Sequence, residues 1–304
     1  MSKSTWKRAG VALTAAGLVA GLAGCNDGGD KTGAKAGGGL GDVTQVLTAA
    51  YEKTSAAKAA KIKMTIEMSG MGAESGTTTL TGVQGWDPGL MDVTMSGPML
   101  GAGEAGMPDK IRMLMLDGAM YMDMGAEQAA QMDGKRWIKM DFGAMAEASG
   151  DKALQKQLSG SMESMNQDPA QQIALLLKSP NLKHVGPEKV AGGDAEHYKG
   201  FLSIADMLKA NKAYDELISE KDRKALTEAT KKAGIKGYDT DVWINSDGYP
   251  VKMVVGMEAP EGSMKLTADY SDYGTKADVV APPAGETVDF MKMMQDMAEA
   301  GAEG

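Results

Sequence analysis

The chain has 304 residues and a formal net charge of −9, with a single cysteine, two histidines, and 26 methionines against three phenylalanines. An acidic chain is a poor partner for the phosphate backbone, so nucleic acid is not expected as a ligand, and it gains nothing from anionic lipid head groups. One cysteine excludes an internal disulfide.

The first residues read as an export signal. Lys3, Lys7 and Arg8 precede an uncharged run from Ala9 to Gly24 that is rich in Ala and Gly. The run is too short for a stable membrane span, which needs about 20 mostly apolar residues. A basic start, a short apolar stretch and small residues at its end describe a secretory signal. Leu22-Ala23-Gly24-Cys25 resembles the lipobox of bacterial lipoproteins, in which the cysteine thiol takes up a diacylglycerol and becomes the new N-terminus. The expected organisation is a signal peptide at 1–24, lipidation at Cys25, and a flexible Gly/Ala-rich tether at 25–41. A single domain over 42–288 and a Met-rich tail over 289–304 follow. The membrane is then a partner through the lipid on Cys25, on its extracytoplasmic face. The tether has one large apolar residue, Leu40, and buries too little surface to fold.

Asp42 is placed to cap a first helix, with Val43, Val46, Leu47 and Ala50 on one face. From Lys61 the period changes to two: Ile62, Met64, Ile66 and Met68 alternate with Lys63, Thr65 and Glu67, the pattern of a half-buried strand. Further strands are expected near 77–86, 90–96, 110–116, 119–124 and 136–141, separated by Gly, Pro and Asp signals. Asp117-Gly118 and Asp247-Gly248 read as two-residue hairpin turns. Asp168-Pro169 starts a helix with Asp as cap and Pro in the first turn, and Ile173, Leu176 and Leu177 form its stripe. Ser203 to Asp206 and Ser219 to Asp222 resemble capping boxes, opening helices that stop at Gly234. Strands resume at Asp239–Ser246, Tyr249–Met257 and Ser263–Tyr273. In the last, Met264, Leu266, Ala268 and Tyr270 share one face. One apolar and one polar face imply an antiparallel sheet covered on one side. The fold class is therefore α+β, a layered or half-barrel architecture with the helices held against a curved sheet.

Four segments then carry a family resemblance. The stretch Gly134-Lys135-Arg136-Trp137 to Asp141, Val185-Gly186 through His197-Tyr198-Lys199-Gly200, Val242-Trp243-Ile244 to Pro250, and Tyr270 to Gly274 with Val279 to Pro283 resemble, in order, motifs of the actinobacterial LppX/LprG-type lipoproteins. The resemblance spans most of Val43 to Pro283. It implies a LolA-like fold, a curved antiparallel half-barrel closed by helices, and an apolar cavity that carries a lipid or lipid-like molecule. It does not transfer the identity of the cargo or a protein partner.

The methionines admit three readings. They can replace Leu and Phe as core filler, line a cavity that adapts to acyl chains because Met repacks easily, or bind Cu(I) through soft thioethers. Met120, Met122 and Met124 form one candidate set for copper, and Met291, Met293, Met294 and Met297 another. Two histidines and one cysteine give such a site no further support, so no metal ligand or other cofactor is assigned. His197 is expected in a strand and His184 in a polar connection, neither near a nucleophile or metal motif, which argues against an enzyme. The leading expectation is a lipid-anchored protein that binds or carries an apolar molecule between sheet and helices. The residues expected to line that gap are Ile62, Met64, Ile66, Met68, Val93, Met95, Ile173, Leu176, Leu177, Met264 and Leu266. The alternative is an envelope protein-binding or sensory module with a solid core.

Overall fold

Alternating apolar residues build one sheet. In the computed structural model, which describes residues 40–70, 75–100, 108–150, 155, 168–210 and 219–294, twelve strands run in the order β12-β6-β5-β4-β3-β2-β1-β11-β10-β9-β8-β7. The strands in chain order are β1 (Ala59–Gly70), β2 (Gly76–Trp86), β3 (Gly89–Ser96), β4 (Lys110–Leu116), β5 (Ala119–Asp123), β6 (Trp137–Asp141), β7 (Lys183–Val190), β8 (Gly193–Ser203), β9 (Gly237–Asn245), β10 (Pro250–Ala259), β11 (Gly262–Ser271) and β12 (Thr287–Asp289). All neighbouring pairs are antiparallel except β12 with β6, which is parallel. Cys25, the signal segment, Met162, Met165 and Met297 lie outside the described residues. The described residues belong to one compact unit, Ala36–Gly304.

The helices are α1 (Leu40–Ala57), α2 (Gly125–Ala129), α3 (Phe142–Ser149), α4 (Pro169–Leu176), α5 (Ile204–Ala210) and α6 (Glu220–Lys232). Helix α1 begins at Leu40, so Asp42 lies inside its first turn and favours the helix through the macrodipole instead of capping it. Its buried stripe is Val43, Leu47, Ala50 and Thr54, the 3.6-residue period of a helix seated on a sheet. Val46, expected in that stripe, is 40% exposed, because its angular position falls at the rim of a narrow contact face. The hydroxyl of Thr54 is buried without a hydrogen-bond partner. An unmet buried hydroxyl costs about 1 kcal/mol or more, so Thr54→Val is expected to raise stability by about 1 kcal/mol in urea unfolding. A loss of stability would mean that the hydroxyl has a partner.

Helices α1 and α4 pack together on one face of the sheet. A single buried cluster includes Ile111 and Met113 of β4, Leu47 of α1, Ile173 and Leu176 of α4, and Tyr198 of β8. Strands β4 and β8 stand seven positions apart in the sheet. Laid flat, that distance is about 34 Å at the usual strand spacing, wider than two helices of about 10 Å each. The open sheet curves around its two covering helices, which accounts for both strands reaching the same core. Close approach of α4 to β8 depends on Gly200, where an added Cβ would stand 2.7 Å from a Leu176 methyl and 2.6 Å from Ser179 Oγ. The Ser179 hydroxyl donates to the carbonyl of Phe201 at 2.9 Å.

Turn chemistry sets the registers. Asp117 and Gly118 both have positive φ, +51° and +75°, the pair that a two-residue hairpin requires. The Asp247-Gly248 turn differs from the expected two-residue form: Gly248 at φ +79° is the left-handed residue, its N–H donates to Asn245 O at 2.9 Å, and β10 starts only at Pro250. The three helix starts follow the expected caps. Asp168 accepts from Ala170 N–H, Ser219 from Asp222 N–H, and Ser203 from Asp206 N–H.

Strand β12 holds the chain past residue 288 in the sheet, with Asp289 beside Lys139.

Candidate functional site

Register places the strand methionines together. Across β2 to β6 the cross-strand partners run Gln84, Met91, Met115, Met120 and Met140, and one row over Gly82, Val93, Met113, Met122 and Ile138. Across β1, β11 and β10 they run Met68, Met264 and Met257, and Met64, Ala268 and Met253. Cross-strand partners share a face. Every methionine of a described strand therefore lies on the face that α1 and α4 cover. Met124, in the candidate copper set with Met120 and Met122, leaves that face because it stands at the N-terminus of α2.

Between this wall and α4 lies an apolar cavity of about 420 Å³. Strands β1 and β11 contribute Ile62, Met64, Met264, Leu266, Ala268 and Tyr270. Leu80, Met91, Met113 and Met120 form one side, and Met253 and Val255 the other. Gln84 comes from β2, and Asp168, Pro169 and Gln172 from the first turn of α4. The volume falls within the usual range of ligand pockets, about 300–1,000 Å³, and the mostly apolar wall with a few polar groups is their usual make-up.

Of the residues expected to line the gap, Ile62, Met64, Met264 and Leu266 meet at the cavity. Val93, Ile173 and Leu176 are buried in the packed core, with Met95 and Leu177 against it, and the cavity wall does not include them. Ile66 and Met68 share the inner face of β1 but lie toward its far end, paired with Leu266 and Met264. Met91, Met113, Met120, Met253, Val255 and Tyr270 were missed. Alternation shows which face each of these takes, but only the register shows that they converge.

The polar end is held in place by α1. Ser55 Oγ donates to Asp168 Oδ2 at 2.7 Å, and Ala170 N–H to Asp168 Oδ1 at 2.8 Å. Burial, and next the nearby Asp168 carboxylate, push the Tyr270 phenol well above its ordinary pKa. The phenol therefore stays protonated at neutral pH.

The histidines lie elsewhere. His184, expected in a connection, is in edge strand β7, because an edge tolerates the Gly186-Pro187 break that disguises this strand. Its ring stacks on Tyr198 at 5.0 Å and bonds Glu196 at 2.5 Å. On the outer face, His197 bonds Glu188 Oε1 through Nδ1 at 2.8 Å and Asp241 Oδ1 through Nε2 at 2.7 Å, and stacks on Trp243 at 4.2 Å. The Trp243 N–H, then His197, hold the Glu188 carboxyl below its ordinary pKa. With both ring nitrogens engaged by carboxylates, His197 braces β7, β8 and β9.

Among the described residues no group of His, Cys, Asp and Glu is arranged to hold a metal ion, and no helix is long and apolar enough to cross a membrane.

No family model matches the chain. It is similar to the "uncharacterized 31.2 kDa protein in rplA-rplJ intergenic region" of Streptomyces griseus, at 31% identity over 82% of this chain and 79% of that protein. It is also similar to a "putative lipoprotein" of Streptomyces coelicolor, at 26% identity over 70% of this chain and 64% of that protein. Among solved structures it is similar to the lipoprotein LppX of Mycobacterium tuberculosis, with a TM-score of 0.42 and 13% identity over 78% of this chain and 98% of that one. By its identity and coverage, the chain belongs to the family of the Streptomyces griseus 31.2 kDa protein.

Proposed function

We propose that this protein is a lipoprotein, anchored through acylated Cys25 at the extracytoplasmic face of the cell membrane, that binds a lipid or other apolar molecule between its sheet and helices. The observation that carries the proposal is the cavity of about 420 Å³, walled by aliphatic and thioether side chains. Sequestration is the mechanism. Each methylene moved from water into such a wall contributes about 0.8 kcal/mol. Thioether side chains lower the cost of fitting different chains, since methionine changes rotamer readily. The lipobox at Leu22 to Cys25 supports the anchor, and so does the name of the Streptomyces coelicolor relative. The acyl chains hold the protein, and the acidic charge adds nothing to membrane attachment.

The test is native mass spectrometry of the chain from residue 25 onward, carrying Cys25→Ser and purified gently from an actinobacterial host, with organic extraction of bound material. A reproducible apolar molecule at up to one per chain supports the proposal. A clean apo mass, with no uptake from host lipid extracts, sinks it and favours a binding module without cargo.

A further inference from the structure

Asp168 is the one charged residue among the described residues that line the cavity. It stands where a helix N-terminus would otherwise attract an anion. Here the donors of that terminus are already taken. Pro169 has no N–H, Ala170 N–H donates to the Asp168 carboxylate at 2.8 Å, and Gln171 N–H donates to the Asp168 carbonyl at 2.8 Å. A phosphate or carboxylate arriving there meets a negative charge with no free backbone donor from the first turn. Tyr270, also on the wall, adds no positive charge, since burial keeps its phenol neutral.

We infer that the cavity selects cargo whose polar end is uncharged, such as an ester, an alcohol or a glycerol hydroxyl, and turns away fatty acids and lipid phosphates. The inference rests on the cargo-binding reading and narrows it to a ligand class. Asp168 acts here as a specificity determinant through its charge, while its capping role belongs to the fold. The two roles separate by substitution, because Asn caps a helix about as well as Asp without the charge.

The experiment compares 1-monomyristoylglycerol with myristate, the same chain with and without a charged head. Both displace a fluorescent apolar probe at pH 8, below their micelle concentrations, from the chain starting at residue 25 with Cys25→Ser. The wild-type cavity is expected to prefer the glyceride by about tenfold or more, the scale of one like-charge contact near a protein surface. Asp168→Asn is expected to raise myristate affinity relative to the glyceride by a similar factor. Asp168→Ser repeats the test with a second capping residue, and the thermal midpoint of each variant checks the fold. Equal affinity for both ligands, unaltered in either variant, would overturn the inference and leave cargo binding intact. Failure of both ligands, and of the probe, would remove the cargo-binding reading and this inference with it.

Discussion

Cys25→Ser is expected to move the protein from the membrane pellet almost entirely into the soluble fraction, and to abolish metabolic labelling by palmitate. Burial of acyl chains contributes about 0.8 kcal/mol per methylene, and two or more chains give an anchor that one chain alone does not. Nothing else described in this chain replaces that energy. No described helix is long and apolar enough to cross a membrane, and a net charge of −9 gains no attraction from acidic lipids. Fractionation in high salt, with labelling in parallel, checks the result. A Cys25→Ser protein that still sediments with membrane while carrying no label would place the attachment in some other part of the chain.

Much of the fold was legible because period and punctuation agree. The alternation at Ile62 to Met68 predicts β1, and the limits expected for β3, β4 and β6 fall within a residue of those observed. Asp168-Pro169, Ser203 and Ser219 mark helix starts through the unpaired N–H groups that each must satisfy. Two kinds of element escape this reading. Strand β7 contains Gly186-Pro187, which is acceptable only because β7 lies at the sheet edge, and it was indicated only by the resemblance of Val185 to Gly200 to a strand pair. Strand β12 has three residues, too few to show a period.

The cavity was legible only in part, for a physical reason. The sequence assigns residues to faces, whereas a cavity is a place where a face is left unfilled. Ile62 and Val93 both point inward and share one cross-strand row, yet the cavity wall includes Ile62 and not Val93, which is buried in the packed core. Ile173 and Leu176 have the right helical spacing to face the sheet. They fill it, because Gly200 lets α4 settle there. One turn earlier, Asp168, Pro169 and Gln172 carry too little apolar volume to fill the same gap, and the cavity opens beneath them.

Leu176→Ala is expected to cost about 2–5 kcal/mol of stability, the range for removing a fully buried leucine, since Leu176 has no exposed surface. Cargo bound per folded chain should stay unchanged, because Leu176 is not part of the cavity wall. Ala268→Phe should do the reverse. Ala268 sits on the inner face of β11 between Met64 and Met253, with its side chain on the cavity wall. A ring entering empty space replaces cargo atoms with protein atoms, so stability should shift by only about 1 kcal/mol in either direction. Excluding even two methylenes forfeits about 1.6 kcal/mol, roughly a fifteenfold loss of affinity. Urea unfolding and extracted lipid per chain, measured on both variants, give the comparison. If Ala268→Phe keeps its full complement of lipid while remaining folded, the cargo lies outside this cavity. If Leu176→Ala instead loses lipid without losing stability, the residues taken as solid core are the binding surface.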